Sequence, residues 1–425
     1  MSRPHRIATS LAALVACSVF ARAGVLVVDA SGGGAFIDLA PAVAAAQDGD
    51  VVLVRTGSYS GFTVTNKALD LVADSGASVL VNGTVRIQNL ALTRAVTLTG
   101  REVHAPPAFA AVIVGGNAGS VRIQGCTLRG GDANACAALS NGGTALLVQL
   151  SSDVAVARSA CVGGDGAEAE VASGTGGYGL FATQSRVAVH DSSVRGGRGG
   201  DFNYLCPPSF GYGYSGRGGE GADVASGLHF FASGCDFTGG DGGSNGAPSV
   251  IGGCGAAGLG STQTASADLR ALDSTFAGGL PGGGFNPCGS GAYAPLDLHG
   301  ATLTVLPGSA RHLNASRVTR EHQTARLEIV GAPGDRVELR FADSARFAPA
   351  IAARGVDLLA RRGPTPVLQA GTIGPNGTLT IAWPVAELGP GVAARHLFSQ
   401  AACIDTSGVT TLTNASCLVL LDSAY

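Results

Sequence analysis

The sequence has 425 residues, of which 66 are glycine, 45% are hydrophobic and 13% are charged. Many apolar residues with little charge exclude a disordered chain, and the lack of a Gly-X-Y period excludes collagen. The formal net charge of −3 disfavours nucleic acid and anionic membranes as partners.

The first 23 residues have the pattern of a secretory signal peptide. Arg3 and Arg6 precede an apolar run, and Ala21-Arg22-Ala23 offers a small-x-small cleavage site. This run is too short to be a good membrane span, and no later stretch qualifies, so no transmembrane span is expected. We therefore predict a secreted or cell-surface protein. The alternative is a lipid anchor on Cys17, because Leu14-Val15-Ala16-Cys17 resembles a bacterial lipobox.

The segment after the signal predicts a strand, a short helix and a second strand. Val25–Asp29 and Val51–Val54 read as strands, and Asp38 can cap a helix that runs to about Gln47. The positions in this segment that carry a family resemblance are Ile37, Ala40, Val43, Ala46, Gly49-Asp50, Val52, Val54, Gly57 and Tyr59. Their spacing resembles the opening of right-handed parallel β-helix proteins of the pectin-lyase-like type. The resemblance covers about residues 24–307 and implies that the helix covers the apolar end of the first coil.

A unit of about a dozen residues repeats through the middle of the chain. Five copies align on a Gly-Gly pair whose first glycines are Gly130, Gly163, Gly196, Gly239 and Gly278, at steps of 33, 33, 43 and 39 residues. Two apolar columns stand two residues apart: Val121, Val154, Val187, Phe230 and Leu269, then Ile123, Val156, Val189, Ala232 and Ala271. Side chains at this spacing share one face of a strand, which is buried only when copies stack. We therefore predict stacked coils, with loops leaving each coil after the Gly-Gly pair.

A different pattern begins after Pro307, where glycine becomes less frequent and arginine more frequent. The predicted strands are Arg326–Val330, Val337–Phe341, Asp357–Ala360, Thr378–Trp383 and Leu418–Leu421. The run from Gly331 to Asp405 resembles the C-terminal module of large exported proteins of planctomycete-type bacteria, which implies export and no particular chemistry.

The predicted fold class is all-β: a right-handed parallel β-helix with an N-terminal capping helix, plus a small C-terminal β-sandwich-like domain. The predicted divisions are a signal peptide at residues 1–23, the β-helix at 24–310 and the C-terminal module at 311–425.

Nine cysteines remain once the signal is removed, so at least one thiol stays unpaired or pairs between chains. Cys403 and Cys417 flank a short segment and are the first predicted disulfide. Cys254 and Cys288 are 34 residues apart, about one coil, and are the second.

Acidic residues follow several Gly-Gly pairs, at Asp132, Asp165 and Asp241, and stacked coils would align them. This ladder is either a ligand-binding groove, through Asp165 and Asp241, or a set of solvated turn residues. The Gly-Gly-x-Gly-x-Asp runs that end at Asp201 and Asp223 resemble the calcium-binding nonapeptide of RTX proteins. The copies are not consecutive, so no cofactor is predicted and calcium is a weak alternative at these two residues.

The longest glycine-rich loop, Arg198–Ala222, carries the aromatic residues Phe202, Tyr204, Tyr212 and Tyr214. Aromatic faces suit the apolar faces of sugar rings, so these four residues are a candidate glycan site. The alternative is a long loop that packs its own side chains.

Pectin-lyase-like enzymes use clustered acids, often with calcium, and an Arg or Lys base on the coil surface. The nearest set in this chain is Arg195 with Asp191, His190 and Glu220. His190 is expected at the surface or in a groove, and not as a metal ligand. Sequence does not fix the geometry of this set, and a catalytic base is judged by geometry first. We therefore expect an exported, non-catalytic binding or structural protein that faces polysaccharide or other cell-surface components. The alternative is a polysaccharide lyase or glycoside hydrolase of the pectin-lyase-like class.

Overall fold

The structure is a computed structural model of the whole chain. It describes residues 23–137, 139–170, 172–203, 205–206, 213–226, 229–244, 251–261, 268–284, 288–350, 353–359 and 367–425. Residues 1–22 of the predicted signal peptide, which include Cys17, and the residues Tyr204 and Tyr212 therefore lie outside the described residues.

Three parallel sheets, here called sheets I, II and III, form the first part of the chain. Sheet I contains the ten strands Val25–Val28, Asp50–Val54, Leu69–Ala73, Ala95–Thr99, Ser120–Gln124, Val154–Ala157, Arg186–His190, His229–Ser233, Asp268–Leu272 and Leu303–Leu306. Sheet II contains the eight strands Gly57–Ser60, Val79–Asn82, Glu102–His104, Thr127–Arg129, Ala160–Val162, Ser193–Arg195, Asp236–Thr238 and Thr275–Ala277. Sheet III contains the eight strands Thr63–Thr65, Val85–Gln88, Val112–Gly115, Leu146–Gln149, Leu180–Thr183, Ala222–Ala225, Leu259–Gly260 and Leu296–Asp297. The chain visits the three sheets in turn, so each circuit is one coil of a parallel β-helix.

The apolar columns predicted from the sequence stack in register. Val121 pairs with Val154, which pairs with Val187, and the series continues through Phe230 and Leu269. These residues are at most 1% exposed and belong to one core inside the coils. Burial of each Val, Leu or Phe side chain contributes about 1.5–3 kcal/mol, so the repeat explains why the coils stack.

The predicted helix is present as Leu39–Ala45, the one helix among the described residues. The Asp38 side chain caps it by accepting a hydrogen bond from Leu39 N at 2.8 Å. Leu39, Ala42 and Val43 are buried against the first coil, so the helix covers the apolar end of the core, as the resemblance implied. Within the described residues, no helix is both long and apolar enough to cross a membrane.

The C-terminal part is built from two facing sheets, whose strands are antiparallel except that Val318–Arg320 pairs in parallel with Thr410–Leu421. The smaller sheet contains His312–Ala315, Thr324–Val330 and Thr378–Pro384. The larger contains Val318–Arg320, Arg336–Ala342, Val367–Thr372, Ala394–Ile404 and Thr410–Leu421, and a separate pair contains Ala345–Pro349 and Val356–Leu359. Leu327 and Ile381 of the smaller sheet pack in one core with Leu339 and Ala401 of the larger. This sandwich-like arrangement, with the parallel β-helix before it, confirms the predicted all-β fold class.

The C-terminal sandwich covers the outer face of sheet I. Phe231 and Leu272 of that face share a buried cluster with Phe347, Phe398 and Val419. Two ion pairs cross the same junction, Arg320 Nη2 to Asp74 Oδ1 at 2.9 Å and His396 Nδ1 to Asp70 Oδ2 at 3.2 Å. The face of sheet I that points away from the coil is therefore buried, although the sequence pattern alone would leave it open to solvent.

The described parts of the glycine-rich segments that join sheet II to sheet III form regular rows of backbone hydrogen bonds, where irregular loops were expected. In the row nearest the coils, Gly143 N donates to Gly131 O, Gly164 N to Gly143 O, Gly177 N to Gly164 O and Gly197 N to Gly177 O, each at 2.8 Å. The same zigzag continues to Gly279, and a second row runs through Gly200, Gly216, Gly243, Gly253 and Gly282. We call these two rows the glycine array. At most positions its backbones approach so closely that a side chain would clash: a Cβ on Gly177 would lie 2.1 Å from Gly143 O. Ala256, which joins Gly240 to Gly279 in the first row, is an exception.

The cysteine pairing agrees with one prediction and contradicts the other. Cys254 is joined to Cys288 as predicted, and Cys136 is joined to Cys206, a pair 70 residues apart that the sequence analysis missed. The predicted Cys403–Cys417 disulfide is wrong, since both residues are buried free thiols. A register shift within the hairpin places Cys403 opposite Thr411 and Cys417 opposite Phe398. Cys403 faces the core of the sandwich, whereas Cys417 faces the β-helix, so the two sulfurs lie on different sides of the sheet.

Candidate functional site

The aspartates after the Gly-Gly pairs align as predicted, but their side chains hold neighbouring coils together. The Asp165 carboxylate accepts a hydrogen bond from Arg198 N at 2.7 Å, one coil further on. The Asp241 carboxylate accepts one from Leu280 N at 2.7 Å, and Asp132 likewise accepts from Asp165 N. This geometry favours a structural role for Asp165 and Asp241 over a ligand-binding groove.

The predicted aromatic site in the Arg198–Ala222 loop is divided. Phe202 is 7% exposed and packs beside Gly213, where a Cβ would lie 2.4 Å from its ring. Tyr214 is 59% exposed. Tyr204 and Tyr212 lie outside the described residues, so this site is not tested as a whole.

The three weak catalytic candidates have separate partners. Arg195 Nη2 lies 3.9 Å from Asp241 Oδ2 on the outside of sheet II, whereas Glu220 pairs with Arg217 beside sheet III. Asp191 stands at the bend between sheets I and II, next to Arg158 and Arg317. The structure therefore does not bring Arg195, Asp191 and Glu220 into one site.

His190 is fully buried, contrary to the expectation of a surface or groove residue. The C-terminal sandwich covers its face of sheet I, and Phe231 lies 5.5 Å away between ring centroids. Burial, with the nearby His312 and Arg122, lowers the pKa of His190 to about 3. A neutral, buried imidazole at this junction is a packing element, not part of an exposed catalytic set.

The two weak calcium candidates also lie apart. Asp201 forms a bidentate ion pair with Arg198, at 2.6 and 2.9 Å. Its carboxylate also accepts a hydrogen bond from Ser244 N at 2.6 Å. Asp223 is a fully buried residue of sheet III. The two Gly-Gly-x-Gly-x-Asp runs differ because one leaves the coil in the glycine array and the other re-enters it. No group of three or more metal-ligating side chains occurs in the described part of the chain.

A cluster of aromatic and acidic side chains lies where the glycine array enters sheet III. Phe181, Asp223 and Asp297 occupy one row across adjacent strands, with Gly260 between the two aspartates. Tyr178, Glu220, Arg217 and Tyr293 come from the returning segments just before these strands. We call Tyr178, Phe181, Arg217, Glu220, Asp223, Tyr293 and Asp297 the tyrosine–carboxylate cluster.

Short contacts hold this cluster together. The Tyr178 and Phe181 rings are 5.2 Å apart, and Tyr293 Oη donates to Asp297 Oδ2 at 3.0 Å. Arg217 links Glu220 to Tyr293, because its Nη2 lies 3.1 Å from Glu220 Oε1 and its Cζ lies 5.0 Å from the centre of the Tyr293 ring. A Cβ on Gly260 would lie 3.2 Å from Glu220 Cγ, so the Glu220 side chain lies over this glycine, in the gap between Asp223 and Asp297.

The electrostatics follow from this crowding. Burial raises the pKa of Glu220; Arg217 opposes the rise, and the neighbouring Asp223 and Asp297 add to it. Burial, with Glu220 and Asp223, raises the pKa of Tyr178 to about 12. Burial and the hydrogen bond with Asp297 raise the pKa of Tyr293. Both tyrosines are therefore neutral at physiological pH and keep their hydroxyl protons for hydrogen bonds.

Of this cluster, the sequence patterns point only to Glu220 and Asp223, and they place these two residues in other sites. Tyr178, Glu220 and Tyr293 stand close before three of the last four sheet III strands, but the loops before them differ in length. The repeat copies were aligned on the Gly-Gly pairs, which lie where the chain leaves the coil. That alignment does not match residues that lie where the chain returns to the coil. Alignment on the sheet III strands themselves, from Leu146 to Leu180 and Ala222, would have placed the cluster in one row.

Comparisons with known proteins identify no family. No protein-family model matches the chain. No curated protein matches it either. Among solved structures, the superoxide reductase (neelaredoxin) from Ignicoccus hospitalis is 9% identical, with a TM-score of 0.16, over 26% of this chain and 80% of that one. A similarity of this size carries no argument about fold or function.

Proposed function

We propose that the chain is an exported, non-catalytic binding protein of the pectin-lyase-like type, which binds a polysaccharide at the cell surface. The observation that carries this proposal is the tyrosine–carboxylate cluster. It combines aromatic rings with carboxylates and neutral phenol hydroxyls on the outside of a rigid β-helix.

The chemistry of the cluster suits a sugar ring. Aromatic faces pack against the apolar face of a sugar, and a few fixed polar groups accept and donate hydrogen bonds at its hydroxyls. Sheet III extends this surface, since the half-buried Ile113 and Leu147 continue the row that contains Phe181. A continuous row of outward-facing residues along the coils, apolar at one end and acidic at the other, matches a polymer better than a single small molecule.

Several contacts favour binding over catalysis. The Glu220 side chain is 11% exposed and is held by Arg217, and Asp297 is held by Tyr293 and by His299 Nδ1 at 3.2 Å. Glycoside hydrolysis needs one carboxyl as acid and another as base or nucleophile, both directed at the scissile bond. Here the carboxylates are directed at protein partners instead.

We expect Tyr178→Ala and Tyr293→Ala each to weaken glycan binding about tenfold, because each removes an aromatic face worth about 1–2 kcal/mol. The measurement is a glycan array on the purified full chain, followed by titration of the best ligand. Tyr214→Ala is the matched control, since it removes an exposed tyrosine from the Arg198–Ala222 loop. Loss of binding with Tyr214→Ala, and none with Tyr178→Ala or Tyr293→Ala, would move the site to that loop.

A second candidate function is polysaccharide cleavage, as a lyase or glycoside hydrolase of the pectin-lyase-like class. One observation favours it: the raised pKa of Glu220 beside Asp223 and Asp297 is a property of general acids. In that case Glu220→Gln would abolish the formation of cleavage products while leaving glycan binding intact.

A further inference from the structure

A cavity of about 240 Å³ lies at the junction between the β-helix and the C-terminal sandwich, on a different face from the tyrosine–carboxylate cluster. Its β-helix wall comes from residues at or just before the starts of successive sheet I strands, including Arg94, Ser120, Asp153 and Arg186. Its other wall is the segment Ser344–Phe347 of the sandwich. A hydrogen bond from Ser120 Oγ to Ala345 O, at 2.8 Å, joins the two walls.

The charges that line this cavity do not balance. Its single carboxylate, Asp153, is already engaged by Arg122 at 2.5 Å and by the Ser120 hydroxyl. Arg94 is paired with Asp48 at 2.7 Å. Among the described residues, neither Arg186 nor Arg346 forms an ion pair with an acidic side chain. Asp153, the residue beside Arg186 on the adjacent strand, is engaged by Arg122 instead.

Arg186 is the more constrained of the two. Its Nε is buried and has no hydrogen-bond partner in the structure. A buried guanidinium N–H without a partner costs free energy, and a bound oxyanion can remove that cost because the planar fork of arginine matches a carboxylate, sulfate or phosphate. Arg346 is exposed at the other wall, where it can close on the same anion.

The rest of the lining indicates what carries the anionic group. Thr93, Ser152 and Ser344 present hydroxyls, and Ala95, Ala118 and Phe347 present apolar surface. We propose that this cavity binds a small hydroxylated organic anion, whose carboxylate, sulfate or phosphate group lies against Arg186 and Arg346. Because the two arginines belong to opposite walls, the ligand ties the sandwich to the β-helix. This site is independent of the proposed glycan site on sheet III.

Calorimetric titration of the full chain at low salt tests this proposal with four probes: glucuronate, glucose 6-phosphate, inorganic sulfate and neutral glucose. We expect at least one charged sugar to bind and to raise the melting temperature, while glucose does neither. Tighter binding of glucuronate would indicate a carboxylate ligand, and tighter binding of glucose 6-phosphate would indicate a phosphate ligand. Arg186→Gln with Arg346→Gln should weaken that binding at least tenfold. The charge-matched control is Arg129→Gln with Arg326→Gln, which removes two exposed arginines elsewhere and should leave the affinity unchanged.

Three outcomes would overturn the proposal: no binding of either charged sugar, equal affinity in both double variants, or sulfate binding as tightly as the sugars. If the double variant at the cavity does not fold, Arg346→Gln alone carries the test, because its side chain is exposed. Weakened glycan binding by Tyr178→Ala, with unchanged binding of the charged sugar, would show that the two sites are separate.

Discussion

Gly177→Ala is expected to destabilise the protein by about 3 kcal/mol, although it adds only one methyl group, in a segment between two sheets. The new Cβ would lie 2.1 Å from Gly143 O and 2.6 Å from its carbonyl carbon, both backbone atoms that cannot rotate away. Overpacking of this kind costs about 1–3 kcal/mol and occasionally more. Alanine also reduces the freedom of the unfolded chain, but that gain is below about 1 kcal/mol and does not offset the clash.

The control for this experiment is Gly115→Ala, at the end of a sheet III strand. A Cβ on Gly115 meets no atom within 4 Å, and the residue does not have a positive φ. We expect the unfolding free energy of this control to change by less than about 1 kcal/mol. For both variants the measurements are the shift in denaturant unfolding and the hydrogen exchange of the Gly164 and Gly197 amides. Equal stability of the two variants would show that the glycine array does not form as described.

Asp335→Ala is expected to cost about 3–5 kcal/mol, since it leaves a buried arginine without its counter-charge. Asp335 Oδ2 lies 2.5 Å from Arg311 Nε, and the two side chains are 3% and 8% exposed. The same carboxylate accepts Ala332 N at 3.2 Å, and so fixes the turn that precedes the strand Arg336–Ala342. The measurement is the unfolding free energy of the C-terminal sandwich, followed by the fluorescence of its buried Trp383.

The matched control is Glu102→Ala, which removes an acid from an exposed pair with His104, 2.7 Å apart, and should cost less than about 1 kcal/mol. A double change of Arg311→Met with Asp335→Leu should recover most of the loss, because apolar side chains of similar size can replace a buried pair. A loss as large in the double variant as in Asp335→Ala would assign the effect to the turn and not to the buried charge.

The coil could be predicted because its signal lies in side chains. Val121, Val154 and Val187 recur at a constant position, and their burial follows from stacking alone. The helix cap was equally local: Asp38 precedes the apolar positions of a short helix and bonds its first amide. Such features depend on residues close in sequence or on one repeated spacing.

The glycine array could not be predicted in the same way. Its hydrogen bonds join backbone atoms of segments that leave and re-enter the coil, such as Gly164 and Gly177, and glycine carries no side-chain pattern to mark which segments meet. The segments also differ in length from coil to coil. Composition indicated loops, whereas the close approach of backbones explains why these positions are glycine.

The cysteine pairs also show where prediction from sequence spacing succeeds and where it fails. Cys254 and Cys288 are one coil apart, so a constant step was enough to pair them. Cys136 and Cys206 are two coils apart along loops of unequal length. Cys403 and Cys417 looked close in sequence, but the shifted register of their hairpin separates them.

The most direct test of a non-catalytic glycan-binding role is to incubate the purified protein with the glycan it binds best, and to quantify new reducing ends and unsaturated sugars. We expect saturable binding that Tyr178→Ala weakens, and no product above the level measured without protein. Release of either product by the wild type, abolished in Glu220→Gln, would contradict it and make the tyrosine–carboxylate cluster an active site.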